Sequence, residues 1–276
     1  MSWPGCLNLH YTRDGERTIA LDRHHGPLRV LQRLYPEGPG ICHHVLVHPP
    51  GGIVGGDTLE IEARLEERTH ALITTPGATR YYRSAGAAAV QQVRARLADG
   101  ARLEWLPMET IAYRDCIAVN RMHFDLSAGA EMIGWDLLAL GLPAAGEDWS
   151  RGRYEQHLEL PGVWLEQARI SADDHRLLDG PLGWAGHRVL GTMWFATGTG
   201  LERDRQARLL EAARDVLETS PLVDSAGVSA THDRVIVLRA LAHRVEPLMQ
   251  LFVAVRAAWR SAGWSLPGNA PRIWRT

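Results

Sequence analysis

No lysine occurs anywhere in the chain; all 30 residues of the combined Lys and Arg count are arginine. The absence rules out a Schiff-base lysine, the lysine of a phosphate-binding loop and the lysine of a kinase-like site. Cysteine is scarce as well: Cys6, Cys42 and Cys116 are odd in number, widely spaced and form no C-x-x-C pair. That usage suits reduced thiols in the cytosol better than a disulfide framework. Charges break every apolar run well short of a membrane span, and no charged segment followed by an apolar one opens the sequence. A soluble, cytoplasmic protein with no membrane contact is expected. The formal net charge is only −2, so nothing argues for nucleic acid held through a basic stripe. Also missing are a G-x-S-x-G elbow, an H-E-x-x-H pair, a Walker motif and a G-x-G-x-x-G opening a helix. Members of a Ser–His–acid triad scatter in sequence, and nothing singles one out here.

What is present reads first as strands. With 276 residues the chain is long enough for one large domain or two, with a sizeable core. Short, partly alternating segments cover Arg17–Leu21, Cys42–Val47, Thr58–Leu65, His70–Thr75, Val90–Leu97 and Arg102–Leu106. They continue through Asn120–Leu126, Glu131–Leu138, Tyr154–Leu160 and Val163–Ile170, mostly punctuated by Gly, Pro, Asn or Asp. Ala98–Asp99–Gly100 and Ser127–Ala128–Gly129 have the composition of tight hairpin turns. No repeat of fixed length runs through these segments, which points away from a strict solenoid or propeller. The expectation is a mainly β protein, with an irregular, stacked antiparallel body over residues 1–195. Residues 196–276 then read as a smaller α+β section packed on it, either separate or continuous with the body. Helical spacing appears over Leu201–Glu218, with Thr199 or Gly200 as cap, and over His243–Ser261, where Val245, Leu248, Met249, Phe252, Val255 and Trp259 share a face. Two strands, around Leu222–Ala230 and Arg234–Leu241, separate the helices.

Four features could carry chemistry. The run His48–Asp57, HPPGGIVGGD, combines two prolines with two Gly-Gly pairs around an Ile53–Val54 peg. A simple turn needs far fewer residues, so the run reads as a shaped loop that places His48 and Asp57. Just before it, His44 and His48 would face the same way on an extended strand. With Asp57 they offer nitrogen and oxygen donors suited to nickel or zinc, and a metal-dependent hydrolase is one reading of such a site. The spacing matches no metal motif, and loop histidines are common.

Single carboxylates in apolar surroundings form the third feature: Asp57, Glu104 in LEWLPMET, Asp136 in IGWDLLAL and Glu166 in VWLEQARI. A carboxylate facing inward must be paired, hydrated or metal-bound. For Glu104 and Glu166 the default is a strand position turned to water. Last, TTPGATRYYRSAG (Thr74–Gly86) brings Arg80, Tyr82 and Arg83 together, residue types that anchor interfaces. Arg272, Trp274 and Arg275 at the C-terminus have the same character, unless the tail is tucked against the last helix.

In order and spacing, HPPGGIVGGD, TTPGATRYYRSAG, LEWLPMETIAY, WDLLALGLPAAGE and PRIWRT resemble the urease accessory protein UreD family, also called UreH. The resemblance runs from about residue 17 to the C-terminus. Departures are few: Arg80 stands where the family often has lysine, and Met108 where glutamine is common. The resemblance implies a β-rich, β-helix-like stacked fold with two helices, and a role in urease maturation that is not catalytic. It implies partners, UreF, the GTPase UreG and the urease apoprotein, and nickel in transit with no tightly bound cofactor. Family positions proposed to line an internal nickel passage fall on Asp57, Thr79, Asp136 and Glu166.

Overall fold

Burial with a period of two shapes most of the chain. In Thr58–Leu65, Leu59, Ile61, Ala63 and Leu65 are buried while Glu60, Glu62 and Arg64 face water. The computed structural model describes residues 3–142 and 145–275. Pro143 and Ala144 of the WDLLALGLPAAGE motif and Thr276 of PRIWRT lie outside the described residues. The chain begins with β1 (Pro4–Asp14), β2 (Arg17–His25), β3 (Arg29–Leu34) and β4 (Ile41–Val47). It continues through β5 (Thr58–Leu65), β6 (His70–Thr74), β7 (Thr79–Tyr81), β8 (Ala89–Leu97) and β9 (Arg102–Leu106). Next come β10 (Thr110–Ala112), β11 (Cys116–Leu126), β12 (Glu131–Leu140), β13 (Gly152–Leu160) and β14 (Trp164–Ser171). A short helix, α1 (His175–Asp179), precedes β15 (Val189–Thr197), α2 (Arg203–Glu218), β16 (Ala226–His232), β17 (Val235–Ala242) and α3 (Val245–Trp264).

Two sheets stack face to face. One has the order β14-β13-β11-β8-β5-β1-β2, the other β16-β17-β15-β12-β9-β6-β4-β3, with β7 and β10 attached beside β12. The expected mainly β, stacked class with two terminal helices is what forms, and α1 is an additional single turn. Strand direction differs from the expectation. β1, β5, β8, β11 and β13 pair in parallel, as do β4, β6, β9 and β12; the antiparallel strand pairs are β1–β2, β13–β14 and β3–β4 at sheet edges and the run β12–β15–β17–β16. The cause lies in the turns. Ala98–Gly100 and Ser127–Gly129 do not fold the chain back beside itself but carry it across to the other sheet, so each strand meets its counterpart from the next coil.

These corners stack. Ala98 N donates to Leu65 O and Ser127 N to Leu97 O, both at 2.9 Å. Each corner contains a left-handed residue at the same place, Arg68, Gly100 and Gly129 with φ of 54°, 65° and 74°, a conformation that glycine adopts without a steric penalty. The coils are unequal, stepping from Leu65 to Leu97 to Leu126, which is why no fixed repeat is visible.

The inner faces enclose one core, containing Leu7, Ile61, Leu103, Phe124 and Trp194. The outer face of the larger sheet is covered by α2 and α3, forming a second core with Ile133, Trp135, Phe195, Phe252 and Trp259. β12 is thus covered on both faces and is almost wholly buried. α2 begins later than the caps Thr199 and Gly200 would place it; Glu202 precedes the first helical residue and makes no side-chain cap bond. β15, β17 and β16 extend the sheet that β4, β6, β9 and β12 begin. Among the described residues no helix is long and apolar enough to cross a membrane.

Candidate functional site

β4 ends at Val47, so His48 opens the glycine-rich loop and does not share a strand with His44. The loop is stitched to the next coil. Ile53 N donates to Arg80 O at 2.7 Å, Tyr82 N to Ile53 O at 2.9 Å and Gly56 N to Ala88 O at 2.9 Å. Gly52 lies so close to the Tyr82 ring that a Cβ would sit 2.1 Å from it. Asp57 is buried, and its carboxylate accepts from Trp3 N at 3.0 Å and Val54 N at 3.2 Å. It therefore closes the loop and ties down the start of the chain. Between this loop and Thr79–Arg80 lies a cavity of about 340 Å³, lined by His48, Gly52, Thr79, Gln91 and Trp105 among others. The buried Trp105 indole N–H has no protein partner. Burial lowers the His48 pKa, against the opposing pull of the Asp57 charge.

From the cavity a line of polar side chains runs between the sheets. Gln91, Asn120 and Gln156 sit in register on β8, β11 and β13. Opposite them, Asp136, Thr192 and Arg239 sit in register on β12, β15 and β17. Gln91 Nε2 donates to Asn120 Oδ1 at 3.4 Å, Asn120 Nδ2 to Asp136 Oδ1 at 3.3 Å and Gln156 Nε2 to Asp136 Oδ2 at 2.9 Å. Asp136 is 5 % exposed. Burial, reinforced by the negative charge of Glu166, pushes its carboxyl up to about 7, and the two amide donors only partly oppose this. Tyr81 and Tyr154 pack edge to face beside it, their phenols held neutral by burial. The line ends at Glu166, which accepts from the Thr192 hydroxyl at 3.1 Å and from Arg239. Of the four expected positions, Thr79 lines the cavity, Asp136 sits at the centre of the line and Glu166 at its far end, whereas Asp57 lies in the bordering loop with its carboxylate on the Trp3 and Val54 amides.

Other sequence-level expectations fare differently. His44 does face inward, but its Nδ1 is hydrogen-bonded to the Tyr11 hydroxyl at 2.7 Å, and burial lowers its pKa to about 4. His44, His48 and Asp57 do not assemble as a ligand set; among the described residues no group of three or more His, Cys, Asp or Glu could hold a metal. Arg80 and Arg83 are exposed, with Tyr82 against Tyr113 at 5.1 Å between ring centroids. The tail is tucked in. The Trp274 indole donates to Thr74 Oγ1 at 2.8 Å and packs on Trp135, leaving Arg272 and Arg275 exposed.

Glu104 overturns its outward assignment. It is fully buried under α3, paired with Arg256 at 2.7 Å, Arg260 at 3.1 Å and His70 at 3.1 Å. Arg260 also pairs with Glu37, which holds His43. Sequence reading missed this cluster and the amide row. The signals for the cluster were Glu104 among apolar neighbours and a pair of arginines, Arg256 and Arg260, buried on a helix.

Comparison with known proteins places the geometry in context. The family model described as UreD urease accessory protein matches residues 4–275. A Leptothrix cholodnii protein named urease accessory protein UreD is 66 % identical over 278 residues, covering all of both chains. Proteins of the same name from Variovorax paradoxus and Methylibium petroleiphilum are 54 % and 55 % identical, again over the full length of both chains.

Proposed function

The chain belongs to the UreD family of urease accessory proteins and acts in urease maturation, and from that premise we propose that it passes nickel toward the urease active site. The proposed route is the inter-sheet polar line, entered at the His48–Thr79 cavity and running past Asp136 to Glu166. In this reading the protein is a scaffold and not an enzyme, working in the cytoplasm with UreF, UreG and apo-urease. Nickel is its cargo and no cofactor is bound tightly.

One observation carries the reading: Asp136 is buried between the amides of Asn120 and Gln156 and in register with Thr192, which bonds Glu166, so polar groups line the way from the cavity at one end to solvent at the other. A moving divalent ion needs oxygen donors to replace its water, yet must leave each of them. A closed His and Cys shell would hold nickel too firmly for that. Isolated carboxylates among neutral amides meet both needs. The rival hydrolase site at His44, His48 and Asp57 has no support in the geometry, because these three side chains do not come together as a ligand set among the described residues.

The test is urease activation in cells expressing the urease subunits and the other accessory proteins, with nickel per active site measured beside activity. We expect Asp57→Ala with Asp136→Ala to lower both while the protein remains folded. Normal nickel loading by that double variant would sink the passage.

A further inference from the structure

We propose that Arg239 is a tethered-cation latch, which occupies Glu166 at the outer end of the polar line until a divalent cation displaces it. The inference rests on the passage reading and adds to it the group that controls one end.

Glu166 is the last acid of the line, and both its oxygens are engaged. Oε1 accepts from the Thr192 hydroxyl at 3.1 Å; Oε2 accepts from Arg239 Nε at 3.1 Å and from Nη2 at 2.5 Å. Arg239 lies in register with Thr192, which lies in register with Asp136, so all three belong to one row across β17, β15 and β12. The outer end of the line is the more exposed. Asp136 is 5 % exposed, the Glu166 side chain 15 % and the Arg239 side chain 49 %. The guanidinium therefore stands where the line meets water, and its charge occupies the carboxylate that a departing or arriving cation would use.

Arginine suits this role for two reasons. Its charge persists at any physiological pH, so only another cation can take its place on Glu166. The Arg239 side chain is also half-exposed, so once another cation has taken Glu166 the freed guanidinium returns to water at little cost. The same geometry limits how firmly the site holds a cation. Glu166 is near enough to raise the Asp136 pKa by its charge; two carboxylates that feel each other would jointly attract a divalent ion. Arg239 offsets one of these charges. A cation leaving Glu166 finds the guanidinium ready to return, which turns a potential trap into a point of transit.

The experiment measures Ni²⁺ binding to the purified full-length chain by equilibrium dialysis, with folding followed by circular dichroism. Arg239→Gln should bind Ni²⁺ about tenfold more tightly than wild type, the change expected from about 1.4 kcal/mol of lost charge compensation. Arg239→Gln with Glu166→Gln should lose that gain, and Arg239→Lys, which keeps the charge without the planar fork, should bind with an affinity between wild type and Arg239→Gln. Unchanged affinity in Arg239→Gln, or a gain that survives loss of Glu166, would overturn the latch. If Arg239→Gln fails to fold, Arg239→Lys decides, and wild-type affinity there overturns it too. Because no urease is involved, the outcomes separate. Normal urease loading by the Asp57 and Asp136 double variant would remove the passage even where Ni²⁺ binding confirms the latch. Defective loading with unaltered binding in Arg239→Gln would leave the passage and remove the latch.

Discussion

Asp136 is held between two amides in a region where a charge is costly. Its folded pKa of about 7 lies above the ordinary carboxylate value, so folding takes up a proton at this site. The stability linked to the group is complete below about pH 4 and is lost as pH rises through about 7. Asparagine keeps the shape and removes the charge, and Asn120 or Gln156 can turn its amide to accommodate it. Asp136→Asn should therefore melt at a higher temperature than wild type at pH 8, with the difference shrinking toward pH 5. Thermal unfolding across that range checks it; identical curves at pH 8 would show that the carboxylate is not ionised at a cost. The variant would then be folded yet defective in transit, so stability and transfer move in opposite directions at one residue.

At the scale of elements, α3 is held by more than its apolar stripe. Arg256 and Arg260 point from it onto Glu104, and neither arginine nor the carboxylate reaches solvent. The pairing with Arg256, with His70 and Arg260 adding to it, holds Glu104 down to about 2 against the effect of burial. Its contribution is present above the ordinary glutamate pKa and fades as pH falls toward 2. Glu104→Gln would strand two buried guanidinium groups and should cost about 3–5 kcal/mol, readable in urea unfolding at pH 7. An unchanged midpoint would mean that Glu37 alone suffices. Sequence alone reveals the stripe through Leu248, Phe252, Val255 and Trp259, because periodicity depends only on neighbours. It does not reveal the cluster, since Glu104 and Arg256 are separated by 152 positions. The same contrast runs through the strands. Thr58–Leu65 and Arg102–Leu106 are found where alternation and turn residues place them, whereas β15 is missed because burial on both faces erases its alternation. An Ala-Asp-Gly corner looks the same whether the chain doubles back or crosses to another sheet. Asp136 stands out by its apolar neighbours; Gln91, Asn120 and Gln156 do not, as their alignment exists only once parallel register is set.

For the whole molecule, one question is which surface meets its partners. The tucked Trp274 leaves Arg272 and Arg275 as the exposed part of the tail. If UreF docks there, Arg272→Glu with Arg275→Glu should lower its capture in a pull-down while the melting temperature stays within a degree or two. Trp274→Ala should instead lower stability through lost contacts with Thr74 and Trp135. Full capture by the charge-reversed protein would move the docking site elsewhere.

The long reach from Glu104 to Arg256 and Arg260 also orders events in time. The outer face of the larger sheet, with Leu72, Leu106, Ile133 and Trp135, is roofed by α2 and α3. Among the described residues, the buried counter-charges for Glu104 besides His70 come from α3, which follows every strand of both sheets in sequence. A ribosome making this protein from the N-terminus therefore releases every strand before α3, which covers the larger sheet. Until α3 is made, the growing chain presents a broad apolar face in which Glu104 still lacks its arginine partners, and that face closes when α3 packs on it.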